Sequence, residues 1–122
     1  GVISNPVKVG NLESIRTYAD VRDAVRAYWD LLEHCTQGDV YNIGGERTLS
    51  IGEILDILKS FSKVKIEHAI DPELLRPADV TLQVPASIKF FEKTGWKPVY
   101  SLEKTLEDLL NYHRERTKMR MQ

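Results

Sequence analysis

The stretch Ser50-Ile51-Gly52-Glu53 narrows the fold more than any other in this chain. A serine followed three residues later by a glutamate is a capping box. Each side chain satisfies a backbone N–H that the first helical turn leaves without a partner. Leu49 can staple onto Ile54, and Ile54, Leu55, Leu58 and Phe61 then form the buried side of a helix. Just upstream, Asp39 to Ile43 reads as a short strand ending at Gly44-Gly45. Downstream, Val64 to Ile70 alternates apolar with polar, as a half-buried strand does. A strand, a helix and a strand thus follow one another around this start signal.

The flanking segments continue the alternation. Val7 and Val9 sit around Lys8 in a short strand, and Gly10-Asn11 signals a turn. Ile15 to Ala19 is extended in character. Asp20 is placed to cap a helix, with Asp23 adding charge to its first turn. Val21, Val25, Tyr28 and Leu32 follow at helical spacing, widened by Ala24 and Leu31. Tyr28 and Trp29 are read as packing residues, and Cys35 as filler at the helix end. His68 falls on the polar face of its strand. Thr81 to Val84 is extended. A helix over 86–93 is expected to bury Ile88 and Phe91 and to stop at Gly95. Ser101 caps the last helix, whose apolar face carries Leu102, Leu106, Leu109, Leu110 and His113. The basic tail, 117–122, is expected to fray.

A chain of 122 residues fits one domain. Its net charge of −1 gives no electrostatic footprint for nucleic acid or an anionic membrane. One cysteine provides no internal disulfide and suits a reducing cytoplasm, the expected location. No apolar run approaches a membrane span, and no signal-peptide pattern is visible. The chain opens at Gly1-Val2, so a start further upstream is expected. There is no metal-ligand spacing, no nucleophile in a recognisable setting and no P-loop. Gly44-Gly45 lacks the three-glycine spacing of a dinucleotide fingerprint. What remains is two arginines in constrained segments, Arg16 and Arg76, each followed by an acid, Asp20 and Asp79. In Leu75-Arg76-Pro77-Ala78-Asp79-Val80 the proline fixes its own φ and biases Arg76 toward extended backbone. Arginine suits a bidentate grip on phosphate, and Asp79 could orient it or accept from a sugar hydroxyl. Two convergent arginines could clamp a diphosphate. A solvated surface ion pair remains the competing reading, and spacing leaves convergence open.

The order of motifs is more telling than any one of them. Val9-Gly10-Asn11-Leu12-Glu13-Ser14-Ile15-Arg16 is followed by Asp20-Val21-Arg22-Asp23 and a helix with Tyr28-Trp29. Then come Val40-Tyr41-Asn42-Ile43-Gly44, the Ser50 helix start, Arg76-Pro77-Ala78-Asp79-Val80 and Thr94-Gly95-Trp96-Lys97-Pro98. This set covers nearly the whole chain and resembles the extended short-chain dehydrogenase/reductase family. Gly10-Asn11-Leu12 and the Arg-Pro-x-acid-Val segment look most like GDP-mannose 4,6-dehydratases, with the related GDP-6-deoxy-4-ketohexose reductases next.

The resemblance implies an α/β fold, the C-terminal, sugar-nucleotide-binding portion of such an enzyme. One helix-strand unit, 20–43, would pack on a cofactor-binding Rossmann sheet that lies elsewhere. It implies that Arg16 contacts the substrate diphosphate and that Arg76 grips the nucleotide with Asp79 as its neighbour. Val7, Lys8 and Val9 would line the base pocket. The implied ligand is a GDP-sugar and the implied cofactor of the parent is NADP. This chain alone is expected to bind no cofactor, to hold no Tyr-x-x-x-Lys catalytic pair and to be inactive. The missing N-terminal half or a second copy would cover 20–43, and a homo-oligomer is expected. The alternatives are a GDP-4-keto-6-deoxyhexose reductase, an NDP-sugar epimerase, or a stand-alone nucleotide-binding or interaction module.

Overall fold

The structure is a computed structural model that describes residues 6–120. Residues 1–5 and 121–122 lie outside it.

Five short strands, four α-helices and one 3-10 turn (Pro72–Leu74) make up the regular structure of the described chain. Strand β1 (Val7–Val9) pairs in parallel with β4 (His68–Ile70). A second sheet has the order β3-β2-β5. In it, β2 (Ile15–Thr17) runs antiparallel to β3 (Thr48–Ser50) and parallel to β5 (Leu82–Gln83). Neither parallel pair can form from a hairpin, so both depend on long crossovers through helices. Only three residues of the predicted strand 64–70 join the ladder, because β1 offers three partners.

Helix α1 (Val21–His34) starts where Asp20 accepts from the Arg22 N–H at 2.8 Å. Helix α2 (Ile51–Ser60) carries the complete capping box. Ser50 Oγ accepts from Glu53 N at 3.1 Å, and Glu53 Oε2 accepts from Ser50 N at 2.7 Å. Helix α3 (Ile88–Thr94) stops at Gly95, whose φ of 68° is the left-handed conformation that glycine adopts without a Cβ clash. Helix α4 (Leu102–Arg120) begins where Ser101 Oγ accepts from Lys104 N at 3.2 Å. It continues helical through 117–120, where fraying was expected.

The core departs from the expected one. Its centre is Ala27, Phe90 and Trp96, with Leu31, Tyr41, Ile43 and Phe91 packed around them. Phe91 stacks on Trp96 at 5.7 Å between centroids. Ile88, expected inside, is exposed, and Phe90 takes its place. Leu106 is the buried anchor of α4, whereas Leu109 and His113 lie on the exposed side.

Helix α1 buries its other face. Asp23 and Ala27 point inward, and the stripe of Val21, Val25, Tyr28 and Leu32 faces out, Val25 at 62% and Leu32 at 76% exposure. Trp29 is exposed as well, so the two aromatics do not pack within the described residues. The segment 39–43 is not a strand. No described strand lies beside it to complete a ladder. Lys89 Nζ instead bonds the Val40 carbonyl at 3.0 Å, and Val40 is exposed while Ile43 is half-buried.

Candidate functional site

The two sheets are stitched together at one place. Asp71 N donates to the Val9 carbonyl at 2.8 Å, and Ile15 N donates to the Thr81 carbonyl at 2.8 Å. The loop between, 71–81, is therefore strung from the end of β1 to the start of β2. It passes over Gly10, where a Cβ would come within 2.9 Å of the Leu74 carbonyl oxygen. Glycine is required at that crossing.

Asn11 follows. Its Oδ1 accepts from Glu13 N at 2.9 Å, an Asx turn that sets the orientation of the amide. Its Nδ2 donates to Ser14 Oγ at 2.9 Å and to Asp79 Oδ2 at 2.8 Å. Ser14 Oγ donates to the same Asp79 oxygen at 2.9 Å. The other oxygen of Asp79 lies 3.7 Å from Arg16 Nη2, and Arg16 Nη1 bonds the Ile15 carbonyl at 2.8 Å. The hydrogen bonds from Asn11 and then Ser14 hold the Asp79 carboxyl below the usual carboxylate range. A fixed carboxylate and a fixed guanidinium thus stand side by side on a half-exposed surface.

The ion pairs differ from those the spacing indicates. Arg16 faces Asp79, not Asp20. Asp20 is buried at the start of α1, where Arg22 Nε and Nη2 reach it at 2.9 and 2.7 Å and Thr105 Oγ1 donates to it at 2.6 Å. The Arg22 bonds hold its carboxyl far below the ordinary range. Asp79 pairs across the chain, so Arg76 is exposed, with no ionic or hydrogen-bonded partner among the described residues. Lys8 pairs with Asp71 at 2.9 Å. Val9 is half-buried beside Gly10, and Val7 faces a groove that Leu55, Leu58 and Ile66 line. Asn11 and Ser14 were missed by the reading from sequence. An asparagine directly after a turn glycine is a signal for side-chain-to-backbone bonding, and it was available.

The model of the family described as GDP-mannose 4,6 dehydratase matches residues 3–109. The chain belongs to that family. A GDP-6-deoxy-D-mannose reductase of Pseudomonas aeruginosa is 30% identical over 111 residues, which is 91% of this chain and 36% of the relative. GDP-mannose 4,6 dehydratase 1 of Arabidopsis thaliana is 29% identical over 107 residues, covering 84% of this chain and 29% of the relative. The solved structure of RMD from Pseudomonas aeruginosa complexed with NADPH superposes with a TM-score of 0.83 at 30% identity, over 93% of this chain and 37% of that one. A UDP-glucose 4-epimerase from Thermotoga maritima with UDP-glucose gives 0.81 at 30% identity, over 92% and 36%. The chain spans about a third of the length of these relatives. Its α/β fold is that of the C-terminal portion of extended short-chain dehydrogenase/reductases.

Dinucleotide use in this family directs attention to Gly44-Gly45, which does not fit such a group. A Cβ on Gly45 would collide with the Tyr18 carbonyl, and one on Gly44 would meet the Pro85 ring and Thr17 Oγ1. These glycines serve chain crossing, and no loop is free there to cradle a pyrophosphate. A Tyr-x-x-x-Lys spacing does occur, at Tyr100 and Lys104, which corrects the expectation that the chain holds none. Its geometry is that of a helix start. The Arg22 guanidinium stacks 3.6 Å over the Tyr100 ring, and Lys104 Nζ donates to Asp108 at 2.7 Å. No described hydrogen bond joins the two side chains. Among the described residues no helix is long and apolar enough to cross a membrane, and no cluster could hold a metal ion.

Proposed function

We propose that this chain is the sugar-nucleotide-binding part of a GDP-mannose 4,6-dehydratase-like enzyme, binding GDP-mannose through Arg16 and Arg76 at its diphosphate. The observation that supports this most is the bridge between Arg16 and the Arg76–Asp79 loop. Two arginine-bearing segments distant in sequence meet at one half-exposed surface, in a chain of this family. Asp79 is available to a ribose hydroxyl, and Val7, Lys8 and Val9 lie on the strand leading to Gly10. The complete enzyme works with NADP, which supplies hydride transfer, and that cofactor belongs to residues outside this chain. The outward stripe of α1 is where the cofactor-binding half docks. The 30% identity to a GDP-6-deoxy-D-mannose reductase favours a second reading, a reductase acting on the 4-keto product of the dehydratase.

Titration of GDP-mannose against the complete enzyme tests the binding claim. Loss of one charge-assisted contact removes about 1.5–3 kcal/mol. Arg76→Ala and Arg16→Ala should each raise Kd by roughly tenfold to a hundredfold. Unchanged affinity in both variants, with intact folds, refutes the assignment. Turnover of GDP-mannose against turnover of its 4-keto-6-deoxy product separates dehydratase from reductase.

A further inference from the structure

We propose that Asn11 and Ser14 are positioning residues that fix the Asp79 carboxylate and, through it, aim the Arg16 guanidinium at the nucleotide. The proposal rests on the reading of Arg16 as a diphosphate contact and adds how that contact is held in place.

The geometry leaves this carboxylate little freedom. Asp79 Oδ2 accepts from Asn11 Nδ2 at 2.8 Å and from Ser14 Oγ at 2.9 Å. With that oxygen engaged twice, Oδ1 turns toward Arg16, 3.7 Å away. The donors are themselves fixed. The Asn11 amide cannot flip without losing the bond from Glu13 N at 2.9 Å. Ser14 is 5% exposed, and its carbonyl accepts from Ile51 N at 3.1 Å, which ties it to the start of α2. Leu12, between them, accepts from Gly52 N at 2.8 Å. A rigid turn therefore presents two donors to one carboxylate oxygen. Arg16 and Asp79 are only 23% and 27% exposed at the side chain, so solvent screens their pairing partially. A guanidinium held in one direction loses less freedom when it binds a phosphate than one that wanders.

The test is a double-mutant cycle for GDP binding in the complete enzyme, with circular dichroism and melting temperature as controls. Asn11→Ala should raise Kd for GDP by up to about tenfold, because an unfixed guanidinium must then be ordered on binding. In an Asp79→Asn background the same change should add less than about twofold, because both act through one carboxylate. Ser14→Ala, nearly isosteric, should follow the same pattern and serves if Asn11→Ala fails to fold. Affinity as a function of pH gives a second readout. Without Asn11 the carboxyl returns toward its ordinary range, so binding should weaken in acid at a higher pH than in the wild type. Additive effects in the cycle, or an unmoved acid limb, overturn the positioning role while leaving Arg16 and Arg76 as contacts. If Arg16→Ala also binds normally, the reading of the site itself falls.

Discussion

Asp23 holds three parts of the chain together although it has no exposed surface. Its carboxylate accepts from Arg26 at 2.6 Å and from the backbone N–H groups of Val99 and Tyr100 at 3.0 Å each, and its carbonyl accepts from Trp96 Nε1 at 3.2 Å. From sequence it reads as a charge favouring a helix N-terminus, because nothing local reveals a partner more than seventy positions away. Asp23→Ala would leave buried donors unsatisfied. It should lower stability by about 3 kcal/mol, read as a shift in the urea midpoint with an unchanged slope. Asp20, three residues earlier, is the carboxyl held furthest below its ordinary range and so contributes most to acid sensitivity. Its folded carboxyl lies below the unfolded one, so its contribution is complete above about pH 4 and is lost as pH falls. Melting temperature between pH 5 and 2 should therefore fall less steeply in Asp20→Asn than in the wild type.

Elements defined by local chemistry were legible, and elements defined by distant partners were not. The capping box of α2, the Ser101 start of α4 and the Gly95 stop of α3 are short-range bonds, and each stands where the residues place it. The α/β class followed from the order of motifs that resembles the family. The stripe of Val21, Val25, Tyr28 and Leu32 was expected to face a sheet outside the chain, and it faces outward, while the small inward face of Asp23 and Ala27 went unread because its partners are distant in sequence. Segment 39–43 has strand composition and no neighbour, and composition alone makes no ladder. Arg16 and Asp79, both singled out from the sequence, face each other, whereas the sequence set each beside a different partner, since pairing was inferred from proximity in sequence. Gly44-Gly45 allows a close backbone approach to Tyr18 and Pro85. Gly45→Ala drives a methyl group into the Tyr18 carbonyl. It should destabilise the protein by about 1–3 kcal/mol through forced backbone shifts, visible as a lower melting temperature.

The described chain is open for its size. It exposes 9455 Å² at 14.0 kDa, against roughly 6,700 Å² for a compact monomer of that mass. Much of the apolar excess lies along α1 and at Val40 and Ile88. An exposed apolar stripe such as that on α1 is suited to an interface. The isolated 122-residue chain should self-associate in sedimentation velocity as concentration rises, and Val25→Glu with Leu32→Glu should return it to a monomer. A monomer at all concentrations would remove the docking role of α1. The bridge between Asn11 and Asp79 spans 68 residues, and that between Ser14 and Asp79 spans 65. No hairpin or single helix contains both sides of it. Contacts this remote form late, after the loop-closure entropy between them has been overcome. Any partly folded form made of local turns and helices therefore lacks the site altogether. A nucleotide would recognise only the finished molecule, slowing its unfolding without guiding its assembly.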